Sequence, residues 1–469
     1  MVAANHLTPA MTVSTPMATE EPLVQSLMWT QDLGREHGFE RLRVEGRLPE
    51  TLNATLYRNG PGQFGQFGRR YSHPFEADGA AHAIRIAGGA ATGASRIHQT
   101  AGLVEERAAG RIKYGLAAPW PRRVANMWRG RQKNTANTNI IVWQGRLFAL
   151  MEAGRPTELD PKDLSTIGET DLGGVVGEMF SAHPHRVASR SALYNSGLEY
   201  GRKTKLHLYE LPDAGAARRL GTVDLGYAPM LHDFIATDSH LVFFVSPTRV
   251  NIPRMMTAIG TFEQLFQWKP QHGTEIICVP IDRPSEVLRF TTDAFYQWHF
   301  TNAWTRANEL VIDYVRYADF SSFRGIGHVG AGGGRELLAD GHYNRAVIDL
   351  AARTFASEQL SDRACEFPTV APGDEGREHR VAYAVFGDLG GIGAIDAAGR
   401  VTEHVLPAGE RATEPLYVDG YLLTLTHARD AAYVGVYDAA RIPDGPVARI
   451  WIDHHVPITF HGTFAPDRA

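Results

Sequence analysis

The chain has 469 residues, 43% hydrophobic and 21% charged, with 47 Gly and 26 Pro, a composition that can bury a large core and favours turns over long helices. A net charge of −5, with no block of Lys or Arg, argues against nucleic acid as a partner. Two cysteines, Cys278 and Cys365, exclude a disulfide framework, nearly exclude a thiolate metal site, and are compatible with a reducing cytoplasm.

Residues 1–25 are Thr-, Ala- and Pro-rich and aperiodic, and are expected to form a flexible leader ahead of one catalytic domain over 26–469. The N-terminus lacks the charged and apolar regions of a signal peptide. No stretch approaches the ~18–20 apolar residues that span a bilayer. A soluble, cytoplasmic protein is expected, at most peripheral on a membrane. Strand–turn–strand units then recur almost to the end. Asn139-Ile-Ile-Val-Trp and Leu147-Phe-Ala-Leu flank the turn Gln144-Gly-Arg as a hairpin, and Asp233-Phe-Ile-Ala pairs in pattern with His240-Leu-Val-Phe-Phe-Val. Val381-Ala-Tyr-Ala-Val-Phe and Gly420-Tyr-Leu-Leu-Thr-Leu continue the series. One segment breaks it. Residues 253–268 place Met255, Ile259, Phe262 and Phe266 on one helical face, which reads either as a helix over the core or as an interfacial helix dipping into lipid. Trp120, Met127 and Trp128, flanked by Arg122, Arg123, Arg129 and Arg131, extend the same candidate surface.

Many short antiparallel strands without a sandwich-sized break predict an all-β protein, a β-propeller. Seven blades would take about 67 residues each, and inner strands would aim their ends at one axis. Such a fold gathers remote residues. Four histidines fit that demand: His183 in Ser-Ala-His-Pro-His, His232 in Leu-His-Asp-Phe, His299 in Trp-His-Phe-Thr-Asn-Ala and His461 in Phe-His-Gly-Thr-Phe. Their separations of 49, 67 and 162 residues are too long for a finger or a one-helix pair. Each lies at the edge of a strand-like run beside aromatic or apolar residues. His185 and the pair His454–His455 show that this choice among 20 histidines is not forced. Imidazoles suit zinc, copper, iron and nickel; structural zinc usually recruits thiolates, so an open four-histidine site better fits a redox iron that must also bind dioxygen. Glu152, Glu366 and Glu414, each in apolar surroundings, are candidates to orient the outer ring nitrogens.

Seven segments in order, Leu56-Tyr-Arg-Asn-Gly-Pro-Gly, His73-Pro-Phe-Glu-Ala-Asp-Gly, Ala136-Asn-Thr-Asn, Ser181-Ala-His-Pro, Leu231-His-Asp-Phe, Glu366-Phe-Pro and Phe460-His-Gly-Thr-Phe, resemble the carotenoid cleavage oxygenase family. The similarity runs from about residue 25 to the C-terminus and is strongest toward bacterial apocarotenoid oxygenases. It implies a seven-bladed β-propeller with a dome of loops and helices over the top face. It also implies a non-haem Fe(II) on His183, His232, His299 and His461. By the same resemblance Glu152 would hold His232, Glu366 His299 and Glu414 His461, leaving His183 without a carboxylate. Thr138 matches a position that crowds a vacant coordination site. Glu76-Ala77 stands where relatives commonly carry Asp-Gly, and a local loop change is expected there.

The family divides between carotenoid polyenes and phenolic stilbenes. Met151 occupies the place of a lysine that contacts the phenol oxygen in stilbene cleavers; a thioether cannot steady a phenolate and favours an apolar, elongated ligand. The expected activity is cleavage of one C=C bond of a carotenoid or apocarotenoid by O2 to give two carbonyl products. Central cleavage of apocarotenals to retinal is the preferred form. The alternatives are a stilbenoid-cleaving dioxygenase, or a polyene isomerase or hydrolase on the same iron scaffold. A monomer is expected.

Overall fold

The predicted hairpins form where their turn chemistry allows. Asn139–Trp143 and Arg146–Leu150 pair antiparallel across Gln144-Gly145, whose φ values of 51° and 75° make the left-handed two-residue turn that matches strand twist. Ile235–Ala236 pairs with His240–Val245, and Val381–Phe386 and Tyr421–His427 are strands as expected. The computed structural model describes residues 28–330, 340–428 and 431–466; the expected leader, 1–25, lies outside them.

Antiparallel sheets follow one another along the chain. The first runs through His37–Arg41, Ala90–Ile97, Asp78–Ala87 and Ala54–Gln63 to His461–Pro466, so the end of the chain pairs with its beginning. Four-stranded sheets occupy 139–169, 185–225 and 235–292. A seven-stranded run over 296–405 hinges on the long strand Thr354–Val370: its first half pairs with His342–Asp349, its second with Val381–Phe386. The last sheet, built on Tyr421–His427, Ala432–Asp438 and Pro446–Ile452, takes Arg43–Gly46 as its far edge. The protein is thus all-β with few helices.

Buried apolar layers join neighbouring sheets. Tyr57 and Ala83 meet Ile140 and Leu147, and Phe148 meets Tyr209 and Leu211. Leu208 meets Phe234 and Phe243, and Phe244 meets Phe300 and Ile312. Val315 and Ile392 share a core with Leu422, while Leu423 and Val434 meet Leu56 and Ile84 of the first sheet. Each fully buried side chain of this size contributes about 1.5–3 kcal/mol, so strands apolar on both faces settle between two sheets.

Helices are short and lie outside the sheets. Ala101–Ala109 is capped by the Thr100 hydroxyl and stopped by Gly110 at φ 59°. Trp120–Trp128 packs on Ile252–Thr257, with Trp120 Nε1 donating to Thr257 O at 3.0 Å. The expected continuous helix over 253–268 does not form. It ends at Thr257, because Ala258 takes φ 52° and Gly260 φ 114°, and the chain continues as a 3₁₀ turn, Glu263–Leu265, and a strand, Phe266–Trp268. Phe262 and Phe266 therefore face inward onto Phe323, with Phe262 also stacked on His73, while Ile259 stays exposed. The four apolar residues do not share one face. No helix among the described residues is long and apolar enough to cross a membrane.

Candidate metal centre

The four predicted histidines occupy equivalent stations. His461 opens the edge strand of the first sheet, His183 precedes the edge strand His185–Val187, His232 precedes Ile235–Ala236, and His299 lies in the edge strand Tyr296–Arg306. All four are buried, and their rings meet. His183 is 4.4 Å from His232, 4.6 Å from His461 and 5.3 Å from His299 between centroids, and His299 is 4.8 Å from His461. Ligand nitrogens of His183, His232 and His299 lie within 4.8 Å of one another, an arrangement that can hold a metal ion. The Nε2 atoms of His232 and His299 approach to 3.4 Å.

Carboxylates stand behind the rings. His299 Nδ1 is 2.5 Å from Glu366 Oε2, and His461 Nδ1 is 2.8 Å from Glu414 Oε1, the two pairings expected. An Nδ1–H so held leaves Nε2 as a lone pair facing the cluster, the form a metal requires. Glu366 is itself fixed: Tyr317 OH donates to Oε1 at 2.8 Å, and the Phe367 N–H to Oε2 at 2.6 Å. Irregular registers interrupt the ladders at Gln297/Phe300 and at Glu366/Thr369, and Phe367, at φ 51°, stacks on His299. Such bulges re-aim side chains from an otherwise regular strand. Burial alone would raise Glu366, but the adjacent His299 holds it below the usual carboxylate range. Burial keeps Glu414 above that range despite Arg58, and drives the His461 imidazole well below the usual histidine range.

Glu152 stands beside the expected His232 and beside a second ring as well. Its Oε1 lies 3.2 Å from His232 Nδ1 and also 3.3 Å from His183 Nε2, without hydrogen-bond alignment to either. His183 therefore does have a carboxylate neighbour, at its Nε2. Against the burial that would raise it, the imidazoles of His232 and His183 bring the Glu152 carboxyl down to about 2.

Two supporting groups, Asp233 and Arg58, stand in the segments Leu231-His-Asp-Phe and Leu56-Tyr-Arg-Asn-Gly-Pro-Gly, but each has partners remote in the chain. Asp233 accepts from His185 Nε2 at 2.7 Å and from the Phe234 and Phe300 N–H groups at 2.8 Å each, so one buried carboxylate ties together the segments that carry His183, His232 and His299. His185 is thereby a hydrogen-bond partner of Asp233. Arg58, fully buried, donates to Glu414 Oε2 at 3.0 Å and to Glu414 O, Thr413 Oγ1, Thr459 Oγ1 and Phe460 O. The signal for both was a charge in an apolar run, costly to bury unless paired.

Thr138 occupies the same station before its edge strand as His183 and His232 do before theirs; it is buried, with its N–H donating to Leu150 O at 2.9 Å. Met151 Sδ lies 3.1 Å from the Thr135 N–H. Glu76 is buried and accepts from the Leu116 N–H at 2.6 Å. Trp298 meets His232 edge-on at 4.8 Å, and Phe75 packs on Trp298 and Phe460, so apolar rings adjoin the histidines. A cavity of about 1150 Å³ runs along the edge strands from His183, His299 and His461 past Thr301 and Thr369 to Glu375.

The profile of the family described as RPE65, retinal pigment epithelial membrane protein, matches residues 31–466. Apocarotenoid-15,15'-oxygenase of Synechocystis is 31% identical over 465 residues, covering 90% of this chain and 92% of that protein. A carotenoid cleavage oxygenase of Mycobacterium tuberculosis is 26% identical over 489 residues, covering 91% and 94%. Among solved structures, cobalt-substituted Synechocystis ACO superposes with a TM-score of 0.84 at 28% identity, over 94% of this chain and 98% of that one. A threonine-to-alanine variant of the same protein gives 0.85 at 28% identity, over 96% and 99%. The match from residue 31 to 466, a span that contains all four converging histidines, makes this chain a member of the RPE65/carotenoid oxygenase family.

Proposed function

We propose that the protein is a non-haem Fe(II) dioxygenase that cleaves one C=C bond of a carotenoid or apocarotenoid with O2, giving two carbonyl products. The observation that carries this reading is the meeting of four buried imidazoles, two of them backed at Nδ1 by buried carboxylates, in a chain of this family. The donor set fits ferrous iron: neutral nitrogens inside, carboxylates outside, and a buried His183 Nε2 without a hydrogen-bond partner. His183, His232, His299 and His461 would hold the ion. When bound, it supplies the one-electron chemistry that dioxygen requires. The remaining work belongs to the chain. Glu366 with Tyr317, and Glu414 with Arg58, lock ring orientation and keep each Nδ1 protonated. Glu152 serves His232, and Thr138 narrows the approach to the cluster. Trp298, Phe75 and Phe460 exclude water and offer an apolar wall to a polyene. Met151 beside Glu152 lacks the cation that would steady a phenolate, which favours polyenes over stilbenes. Central cleavage of an apocarotenal to retinal is the specific form proposed.

The succession of sheets and shared cores, returning from the last sheet to the first, supports one seven-bladed propeller domain with the helices as its dome. Trp120, Trp128, Ile252 and Ile259 are exposed beside Arg122, Arg123 and Arg129, and this surface replaces the expected helix face as the proposed contact with a membrane. Incubation of a monomeric, iron-loaded preparation with β-carotene, apocarotenals of several lengths and resveratrol under O2 tests the reading. Paired carbonyl products with one O2 consumed per bond cleaved are expected from a polyene; isomerised products, or turnover without O2 uptake, would overturn it in favour of an isomerase or hydrolase.

A further inference from the structure

Away from the axial histidines, the first and last sheets meet at a seam where the beginning of the chain crosses its end. His37 opens the strand His37–Arg41, and His454 follows the strand Pro446–Ile452. Their Nε2 atoms lie 3.1 Å apart, with the rings edge to face at 82°. Each Nδ1 sits 2.9 Å from a backbone carbonyl, Gly38 O for His37 and His455 O for His454. A carbonyl only accepts, so both Nδ1 atoms carry the hydrogen, and in a neutral imidazole the other nitrogen is then a bare lone pair. The Glu40 carboxylate, 3.6 Å from His37 Nδ1, favours the same tautomer. Two lone pairs thus face each other at hydrogen-bond distance with no hydrogen between them. A cation at that point turns the contact from repulsive to attractive.

Glu40 is already engaged by the Arg35 guanidinium. Behind His37, in register across Ser95, lies His82, which is buried with its Nδ1 2.9 Å from Ser95 Oγ. We propose that His37 and His454 form a second metal site, taking a divalent ion of the Zn2+ or Cu2+ class, with solvent completing its coordination. Imidazole nitrogen suits these ions. Two bonds of about 2.0–2.1 Å at a tetrahedral angle need nitrogens about 3.3–3.4 Å apart, a small ring rotation from the contact present. Glu40 behind His37 stands where carboxylates orient ligating imidazoles. The backbone already ties this seam twice, through Ala54–Gln63 with His461–Pro466 and Arg43–Gly46 with Pro446–Ile452. The ion adds a side-chain clasp between residues 417 apart.

Calorimetric titration of the metal-stripped, full-length protein with Zn2+ tests the proposal. Two classes of site are expected: one lost in His232→Ala, the other lost in His37→Gln and, separately, in His454→Gln, with the first class intact. In the unaltered iron-loaded protein, which needs no variant to fold, one added equivalent of Cu2+ should show paramagnetic hyperfine coupling to two nitrogens. Zinc stoichiometry unchanged in both variants, or a Cu2+ signal with a single nitrogen, would overturn the site. So would a seam whose stability follows pH through the imidazole range yet ignores Zn2+, since a proton would then fill the gap.

Discussion

Arg58→Met tests the argument that a fully buried ion pair holds His461 in place. The guanidinium makes two bonds to Glu414 and three to Thr413, Thr459 and Phe460; Arg58 has no water to fall back on, and Glu414 little. Removing one partner of such a pair costs about 3–5 kcal/mol, mostly the penalty of stranding the other charge. Burial already raises Glu414 above the usual carboxylate range, with Arg58 the largest opposing influence, so loss of Arg58 pushes the carboxyl further toward its neutral form. That shift weakens the charge-assisted bond to His461 Nδ1, and metal affinity should fall about 10–100-fold. The double variant Arg58→Met/Glu414→Gln strands no charge, and its stability loss should fall short of the summed single losses by at least ~1 kcal/mol. Urea unfolding of the metal-free forms and chelator competition for the metal measure both effects. A single variant within about 1 kcal/mol of the parent, or strictly additive losses, would refute the reasoning.

Further outcomes follow from the same geometry. Tyr317→Phe removes the donor to Glu366 Oε1 and leaves that buried oxygen dry, at about 1–3 kcal/mol; an unchanged unfolding midpoint would show that Glu366 is held by Phe367 and His299 alone. Burial holds the Glu375 carboxyl at about 7, above its ordinary value, so its contribution is full below about pH 4.5 and lost as pH rises through 7. Glu375→Gln lacks that loss and should gain on the parent by about 1–3 kcal/mol between pH 5 and 8, whereas parallel stability curves would contradict it. Ferrous ion at about 100 times its dissociation constant should stabilise the parent by about 2.7 kcal/mol and leave His232→Ala unmoved, read by thermal unfolding under anaerobic conditions. Phe262→Ala, a partly buried ring in the aromatic cluster, should cost about 1–3 kcal/mol, while Trp128→Ala should change stability by no more than about 0.5 kcal/mol yet weaken liposome binding.

Strand content, the hairpin at Gln144-Gly145 and the four histidines were legible along the chain because each is a local pattern: alternation, turn residues, an imidazole at the edge of an apolar run. So was the candidacy of Glu366 and Glu414, since a carboxylate in apolar surroundings must find a partner. Which partner is a different question, settled across separations of 47 to 67 residues. Only the fold set Glu152 between two rings, gave Asp233 to three segments, turned His185 from a rival ligand into its hydrogen-bond partner, and buried Arg58 against Glu414. The helix expected over 253–268 failed for the complementary reason. Its apolar spacing satisfied a helical period, but positive φ at Ala258 and Gly260, together with the pull of His73 and Phe323 on Phe262, won over local propensity. Chemistry-bearing residue types and their strand-edge contexts are properties of the sequence. Their pairing, tautomers and charge states belong to the tertiary structure, because only burial and contact between remote segments decide where a proton or a cation is held.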